Sequence, residues 1–213
     1  MLVILFAFPP DKIDEVLGDA EMKEALRTKS MISILARTRR EDIAKITKGC
    51  RNDSPPSMVD GLRIVRAMST MGAEVHESAT LITNTGSPEE KDVIELCTWI
   101  FKQAGKVFPV SNSYFDIATG MVAFSNAFMI LTVENISQKA VLEGVPEDHT
   151  IAIASQCIQG IISLVLAGTT LERLKSSVSA PGSITGQAIS NLEASQLSEI
   201  IEKKASTVMA RAK

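Results

Sequence analysis

The chain opens on an unbroken apolar run, LVILFAF (2–8), stopped by Pro9-Pro10. The run is too short to cross a bilayer and has no basic segment before it, so it predicts a buried β-strand rather than a span or a secretory signal. Ile13, Val16, Leu17 and Met22 then recur near helical spacing. SMISILA (30–36) predicts a second buried strand, and Arg39 to Lys48 a short helix. LRIVRAM (62–68) predicts a third strand, entered from the Pro55-Pro56 loop. Apolar strands separated by helical segments imply a parallel sheet with right-handed crossovers. HESATLIT (76–83) is expected as a further strand, antiparallel and on the edge. Ser87-Pro88-Glu89-Glu90 predicts a capped helix start, with Ser87 as N-cap, Pro88 at the first position and Glu90 closing the box. That helix is expected to reach about Ala104, and KVFPV (106–110) forms the last strand.

From Ser111 the pattern changes. Asp116 to Glu143 shows no strand alternation and predicts one long, mostly apolar helix. Val145-Pro146-Glu147-Asp148 turns the chain into a second, ending near Gly168. Ser155, Gln156, Gln159 and Ser163 interrupt its apolar run, which predicts a core or interface helix and not a membrane span. Thr169 to Ser177 predicts a third helix; the loop SAPGSITG (179–186) leads to a terminal helix reaching about Ala210. The expected boundary is therefore at 110/111, with an α/β part before it and an all-helical part after it. The long helices carry apolar residues on more than one face, which a single chain of this size cannot cover, so an obligate homodimer or higher even oligomer is expected. LVILFAF, as a sheet edge, must be shielded as well.

Composition narrows the function classes. Among 213 residues, 45% are hydrophobic, enough for a sizeable core, and the net charge of −3 excludes a basic nucleic-acid stripe. Cys50, Cys97 and Cys157 are far apart and odd in number, which excludes a disulfide framework and a paired-cysteine zinc site. They favour a reducing compartment, and a cytoplasmic protein without membrane or nucleic-acid partner is expected. With only His76 and His149, a His-rich metal centre and most Ser-His-Asp triads are excluded; no metal is expected.

DIATGMVAFSNAF (116–128), EGVPEDHTIAIASQCIQG (143–160) and VSAPGSITGQAI (178–189) together resemble the C-terminal dimerisation domain of the pyrroline-5-carboxylate reductase family. LVILFAFPP resembles the fourth strand of that family's nucleotide domain, SMISILA the next, and LRIVRAMSTMGAEVHESATLIT the elements after it. The resemblance covers nearly the whole chain. It implies a truncated Rossmann-like α/β domain at 1–110 and a helical dimerisation domain at 111–213. The family's reductases hold NAD(P)H on a Gly-x-Gly-x-x-Gly turn, which lets the pyrophosphate approach a helix N-terminus. The twelve glycines here form no such triplet, so the phosphate-binding unit is expected to be missing. Other positions depart too. Ser69-Thr70-Met71-Gly72 stands where the family has Pro-Asn-Thr-Pro, Ala36-Arg37 where it has Ala-Gly beside the cofactor, and Phe8 where it often has Lys.

On the substrate side the family's Thr-Ser-Pro-Gly-Gly-Thr-Thr loop corresponds to Ser179 to Thr185. Thr185 remains, matching the Thr whose hydroxyl lies near the imine nitrogen in the family. The carboxylate-binding Ser is Ala180 and the penultimate Thr is Ile184; losing a hydroxyl bound to an anion forfeits about 1.5–3 kcal/mol. The family's Ser-Gly-Ser-Gly-Pro helix start is Val122-Ala123-Phe124-Ser125-Asn126, bulkier where backbone met ligand.

The candidate chemistry follows from these positions. Ser183 and Thr185, ahead of a helix, are expected either to contact a ligand anion or to cap that helix. Glu134, inside an apolar helix, is a candidate general acid or base, or else an interfacial partner. Gln156 is a candidate substrate contact or a buried structural hydrogen bond. Ser125 and Asn126 are candidate polar contacts in a remodelled pocket, and Asp116 is a charge favoured by its helix dipole. The resulting expectation is a pocket with Glu134 and Thr185 catalytic and Ser183, Ser125, Asn126 and Gln156 binding a small-molecule substrate, the 178–186 loop closing over helices of the same or the partner chain. The leading functional expectation is a cofactor-independent cyclase or isomerase of secondary metabolism on a reductase scaffold, with no cofactor. The alternatives are an NADPH-dependent cyclic-imine reductase without its N-terminal nucleotide part, and a non-catalytic pseudoenzyme.

Overall fold

The computed structural model describes residues 2–26, 28–48, 63–180 and 182–212. Cys50, the Pro55-Pro56 loop and Pro181 lie outside them. The chain divides into two compact units, Met1–Val122 with Met209–Lys213, and Ala123–Val208.

The first unit is a five-stranded sheet in the order β1-β2-β3-β4-β5, with strands Val3–Phe6, Ser30–Ser33, Arg63–Met68, Ser78–Thr83 and Gly105–Val110. β1, β2 and β3 run parallel, in the register Val3↔Ser30 and Ser30↔Arg63. Two short helices, α1 (Ile13–Leu17) and α2 (Ala20–Leu26), connect β1 to β2; α3 (Arg40–Lys48) follows β2. Both faces of the central strands are buried. Met31 and Ile64 pack with Phe6, Leu17, Leu26 and Ile43, whereas Ile32 and Val65 pack on the opposite face with Ile82, Val93 and Cys97 of α4 (Lys91–Lys102). The two-residue period of a strand puts neighbouring apolar residues into different cores, which is why these segments read as continuous apolar runs.

β4 is antiparallel to β3, as expected, but it is not the edge. β5 pairs beyond it in parallel, from Ser78↔Gly105 to Thr83↔Val110. The connection through α4 returns the chain in β4's own direction, and the outer position falls to β5, where Pro109, which has no N–H to donate, is tolerated. Gly105 opens β5 at φ +146, and a Cβ there would lie 2.3 Å from the Ser78 carbonyl oxygen, so only glycine fits.

The capping box at Ser87 does not form. Ser87 Oγ donates to Glu89 Oε2 at 2.7 Å, and Pro88–Glu90 is a 3-10 turn ahead of α4. Glu90 is drawn instead into the interior, where Arg40 Nη2 donates to its Oε1 at 2.6 Å and Thr85 Oγ1 to its Oε2 at 2.5 Å. A buried carboxylate requires such partners more than a helix end requires a cap.

Cys97 is fully buried, and desolvation pushes its thiol from an ordinary 9.0 up to about 12. Folding thus favours the protonated thiol. The contribution is complete below the unfolded value and is lost, by about 1.4 kcal/mol per pH unit, as pH rises from 9 toward 12. Urea midpoints across that range should fall more steeply for the native chain than for Cys97→Ala. Equal slopes would show that the thiol is not held in this environment.

The second unit is helical: α5 (Phe115–Leu142, beginning in the first unit), α6 (Glu147–Leu166), α7 (Leu171–Val178), α8 (Ile184–Ala194) and most of α9 (Leu197–Ala212). The single terminal helix expected after residue 186 is therefore two helices. The break falls at Gln196, a non-glycine residue at φ +57, with Ser195 as the cap of α8. Side-chain caps open α7 and α8: Thr170 accepts from the Arg173 N–H and Ser183 from the Gly186 N–H. Among the described residues between Ala123 and Val208, none of the apolar side chains is fully buried; the two buried side chains are those of Ser137 and Thr150.

Candidate functional site

In the first unit, the carboxyl ends of the parallel strands open onto two adjoining cavities. One, of about 540 Å³, is lined by residues that include Asp11, Arg37, Arg39, Asp116 and Arg211. The other, of about 280 Å³, includes Leu35, Arg66, Met68, Phe115 and Thr119; both include Ala36, Arg37, Asp116 and Ala212. Ligands of open α/β sheets sit outside the carboxyl ends of the strands, so this edge is where the fold offers a site.

Arg66, on β3, organises the inner cavity. Its N–H donates to Thr83 Oγ1 at 2.9 Å, which fixes the strand, and its guanidinium lies 4.4 Å from the Phe115 ring centroid. Nη2 donates to Asp116 Oδ1 at 2.6 Å, while Arg39 Nε stands 3.8 Å from Oδ2. Asp116 is thus more than a charge at the start of α5: it neutralises a guanidinium that is only 5% exposed. Thr119, one turn on, lines the same cavity and has a buried hydroxyl with no partner among the described residues. Gly120 lets the far end of the chain approach, since a Cβ there would be 2.7 Å from the Met209 Cα. That approach brings Arg211 to the outer cavity.

Arg37 follows β2 in the left-handed region, at φ +55. A side chain there costs about 1–2 kcal/mol, a conformation otherwise left to glycine. The family resemblance has Gly at this position. Arg37 and Arg211 have no hydrogen-bond or ion-pair partner among the described residues.

The sequence-based site residues lie in the second unit. Glu134 is exposed on α5 and accepts from Gln138 Nε2 at 3.4 Å. With Val133, Ser137, Gln138, Glu147 and Thr150 it lines a cavity of about 610 Å³ between α5 and α6. Asn126 shares this face of α5 but lies eight residues earlier, about 12 Å along the axis. Ser125 and Gln156 are exposed and line none of the cavities described here. Ser183 lines a separate cavity of about 370 Å³ with Ser179, Ala180, Gln187 and Ser190. Its hydroxyl is committed to the local fold, donating to the Val178 carbonyl at 2.6 Å and accepting from the Gly186 N–H at 3.0 Å. Of its two expected uses the cap is present. Thr185, the second residue of α8, is exposed, and no partner for its hydroxyl is found among the described residues. Within one chain, then, Glu134 and Ser183 line different cavities, and Thr185 lines neither.

The chain is thus built of a sheet unit followed by a helical one. Residues 112–213 match the family described as pyrroline-5-carboxylate reductase dimerisation. A pyrroline-5-carboxylate reductase from Lophium arboricola is 33% identical over 184 residues, 86% of this chain and 57% of that protein. A solved pyrroline-5-carboxylate reductase from Coxiella burnetii is 25% identical with a TM-score of 0.82, covering 99% of this chain and 74% of the other. A pyrroline carboxylate reductase from Plasmodium falciparum, solved with NADP bound, shares the fold at a TM-score of 0.81 and 20% identity, covering 98% of this chain and 79% of the other. The chain belongs to the pyrroline-5-carboxylate reductase family. It spans 57% of the length of its relatives from Lophium arboricola and Neurospora crassa.

These likenesses correct the expectation of no cofactor. The Plasmodium falciparum structure holds NADP, and the relatives named above are reductases. The expectation rested on the missing glycine motif and on the departures at Ser69 to Gly72, Ala36-Arg37 and Phe8, and such departures within part of a relative's length do not define the reaction. None of these relatives is called a cyclase or an isomerase, so nothing here supports that reading or a role in secondary metabolism.

Proposed function

We propose that the chain serves the NAD(P)H-dependent reduction of a pyrroline-5-carboxylate-type cyclic imine, working as a homo-oligomer built on residues 112–213. The observation that carries this is the 33% identity to a named pyrroline-5-carboxylate reductase over 86% of the chain. When bound, a reduced nicotinamide supplies a hydride to the imine carbon.

The donor set at the carboxyl edge of β1–β3 suits part of that cofactor. Guanidiniums line the outer cavity, and Thr119, whose buried hydroxyl has no partner among the described residues, lines the inner one. The buried Arg66–Asp116 pair keeps this edge preorganised. On the substrate side Thr185 retains a free hydroxyl that can donate toward an imine nitrogen, while Ala180 and Ile184 offer no hydroxyl to a carboxylate. Recognition of the carboxylate is therefore left to backbone N–H groups and is weaker by about 1.5–3 kcal/mol for each missing hydroxyl bond. Glu134 is assigned a place beside the substrate only where a partner chain brings its face to the 178–186 loop. Three cysteines, odd in number and far apart in the sequence, suit a reducing compartment, and we place the protein in the cytoplasm.

The test is NADPH consumption by the full chain supplied with pyrroline-5-carboxylate. Turnover is expected, with KM high for a carboxylate substrate, and Thr185→Val should lower kcat by about tenfold or more. No NADPH consumption would overturn the reading. Turnover unchanged in Thr185→Val would remove Thr185 from the site.

A further inference from the structure

We propose that Arg37, Arg39 and Arg211 form a binding site for a phosphate-type oxyanion at the mouth of the carboxyl-edge cavities. The site lies wholly within the first unit. Three guanidiniums line one cavity of about 540 Å³ together with two carboxylates, Asp11 and Asp116. Asp116 is shared between the buried Arg66, at 2.6 Å, and Arg39, at 3.8 Å, so its one charge offsets only part of the outer charge. Arg37 and Arg211 have no ion-pair partner among the described residues. Like charges gathered around one cavity repel one another unless a ligand neutralises them. A monocarboxylate satisfies one guanidinium fork; a ligand with two or more charges and several acceptor oxygens is what three forks suit.

The backbone gives a second, independent observation. Arg37 sits in the left-handed region at φ +55, where glycine would fit without strain, and its side chain makes no hydrogen bond or ion pair among the described residues. A strained residue with no structural partner points to a role outside the fold's own stability. Arg211 is likewise without a partner there, although Gly120 is kept bare for the segment that carries it.

The oxyanion can come from a phosphate-bearing nucleotide or from a free phosphate compound. The first source rests on the reductase reading above and the second does not. Calorimetry on the full chain with NADP⁺, NAD⁺ and inorganic pyrophosphate separates them. Binding of at least one of these ligands is expected. It should weaken as salt rises and fall about tenfold or more in Arg37→Gly and in Arg211→Gln. Arg37→Gly should melt no lower than the native chain, because it removes the strained side chain, so its lost affinity cannot be put down to misfolding. NADP⁺ bound more tightly than pyrophosphate assigns the nucleotide; pyrophosphate bound without either nucleotide assigns the free compound. The proposal is overturned if none of the three binds, if both variants bind as the native chain does, or if a simple dicarboxylate such as succinate displaces the bound ligand at equal concentration. The two readings fail separately. Arginine-dependent pyrophosphate binding without NADPH consumption keeps this site and removes the reductase, and NADPH consumption untouched by either substitution does the reverse.

Discussion

Light scattering on the full chain should give a mass near twice 22.9 kDa, or a higher even multiple, and no folded monomer on dilution. The reason is a helical unit that has no core of its own. Among its described residues no apolar side chain is fully buried, and Ile130 of α5 and Ile153 of α6 are 55% and 57% exposed. By length and composition these two helices also meet what a bilayer span requires. The match of residues 112–213 to a dimerisation family gives their apolar faces a different occupant, a second copy of the chain. A self-complementary contact of this obligate kind resembles a domain core cut in half. Ile130→Lys and Ile153→Lys decide the matter. On an isolated helix surface each would change stability by less than about 0.5 kcal/mol. In a dimer core each leaves a buried, unpaired charge, costing about 2–5 kcal/mol per chain, and should dissociate or precipitate the protein. A native chain that stays monomeric and folded at micromolar concentration would remove the interface.

The sheet was legible where burial alone decided it. Met31 and Ile32, or Ile64 and Val65, enter opposite cores, and any strand buried on both faces must read as an unbroken apolar run. Pairing was less legible. HESATLIT carries the pattern of a strand, but its outer neighbour is fixed by the path of α4, which no local pattern records. The break at Gln196 lacks the glycine or proline that usually marks one. Around the candidate sites, sequence offered positions without distances. Ser183 read equally as a cap or a ligand contact, and the cap hydrogen bonds are what the structure shows. Arg37 stood out only as an arginine in a glycine's place. Its neighbour in the outer cavity, Arg211, is 174 residues away along the chain (211 minus 37), and only tertiary structure brings them together.

Asp116→Ala should strongly destabilise the first unit. The Arg66 guanidinium is 5% exposed, lies over the Phe115 ring and depends on Asp116 at 2.6 Å for its countercharge. Without that carboxylate a buried cation is left uncompensated, at a cost of about 3–5 kcal/mol. For a chain of this length the melting point should fall by roughly 10 °C. Arg39 sets the scale for comparison. It stands 3.8 Å from the same carboxylate but is 53% exposed, so Arg39→Ala should cost less than about 1 kcal/mol. Removing both charges should be milder than removing one. Arg66→Met combined with Asp116→Ala leaves no buried charge, and Met still packs on Phe115, so the double variant should recover most of the loss. Urea denaturation of the native chain, Asp116→Ala, Arg66→Met and the double variant closes the cycle and yields the coupling between Arg66 and Asp116 directly. If Asp116→Ala costs no more than Arg39→Ala, the pair is not what holds the carboxyl edge of β3 against the start of α5. The oxyanion site built upon that edge would then need another support.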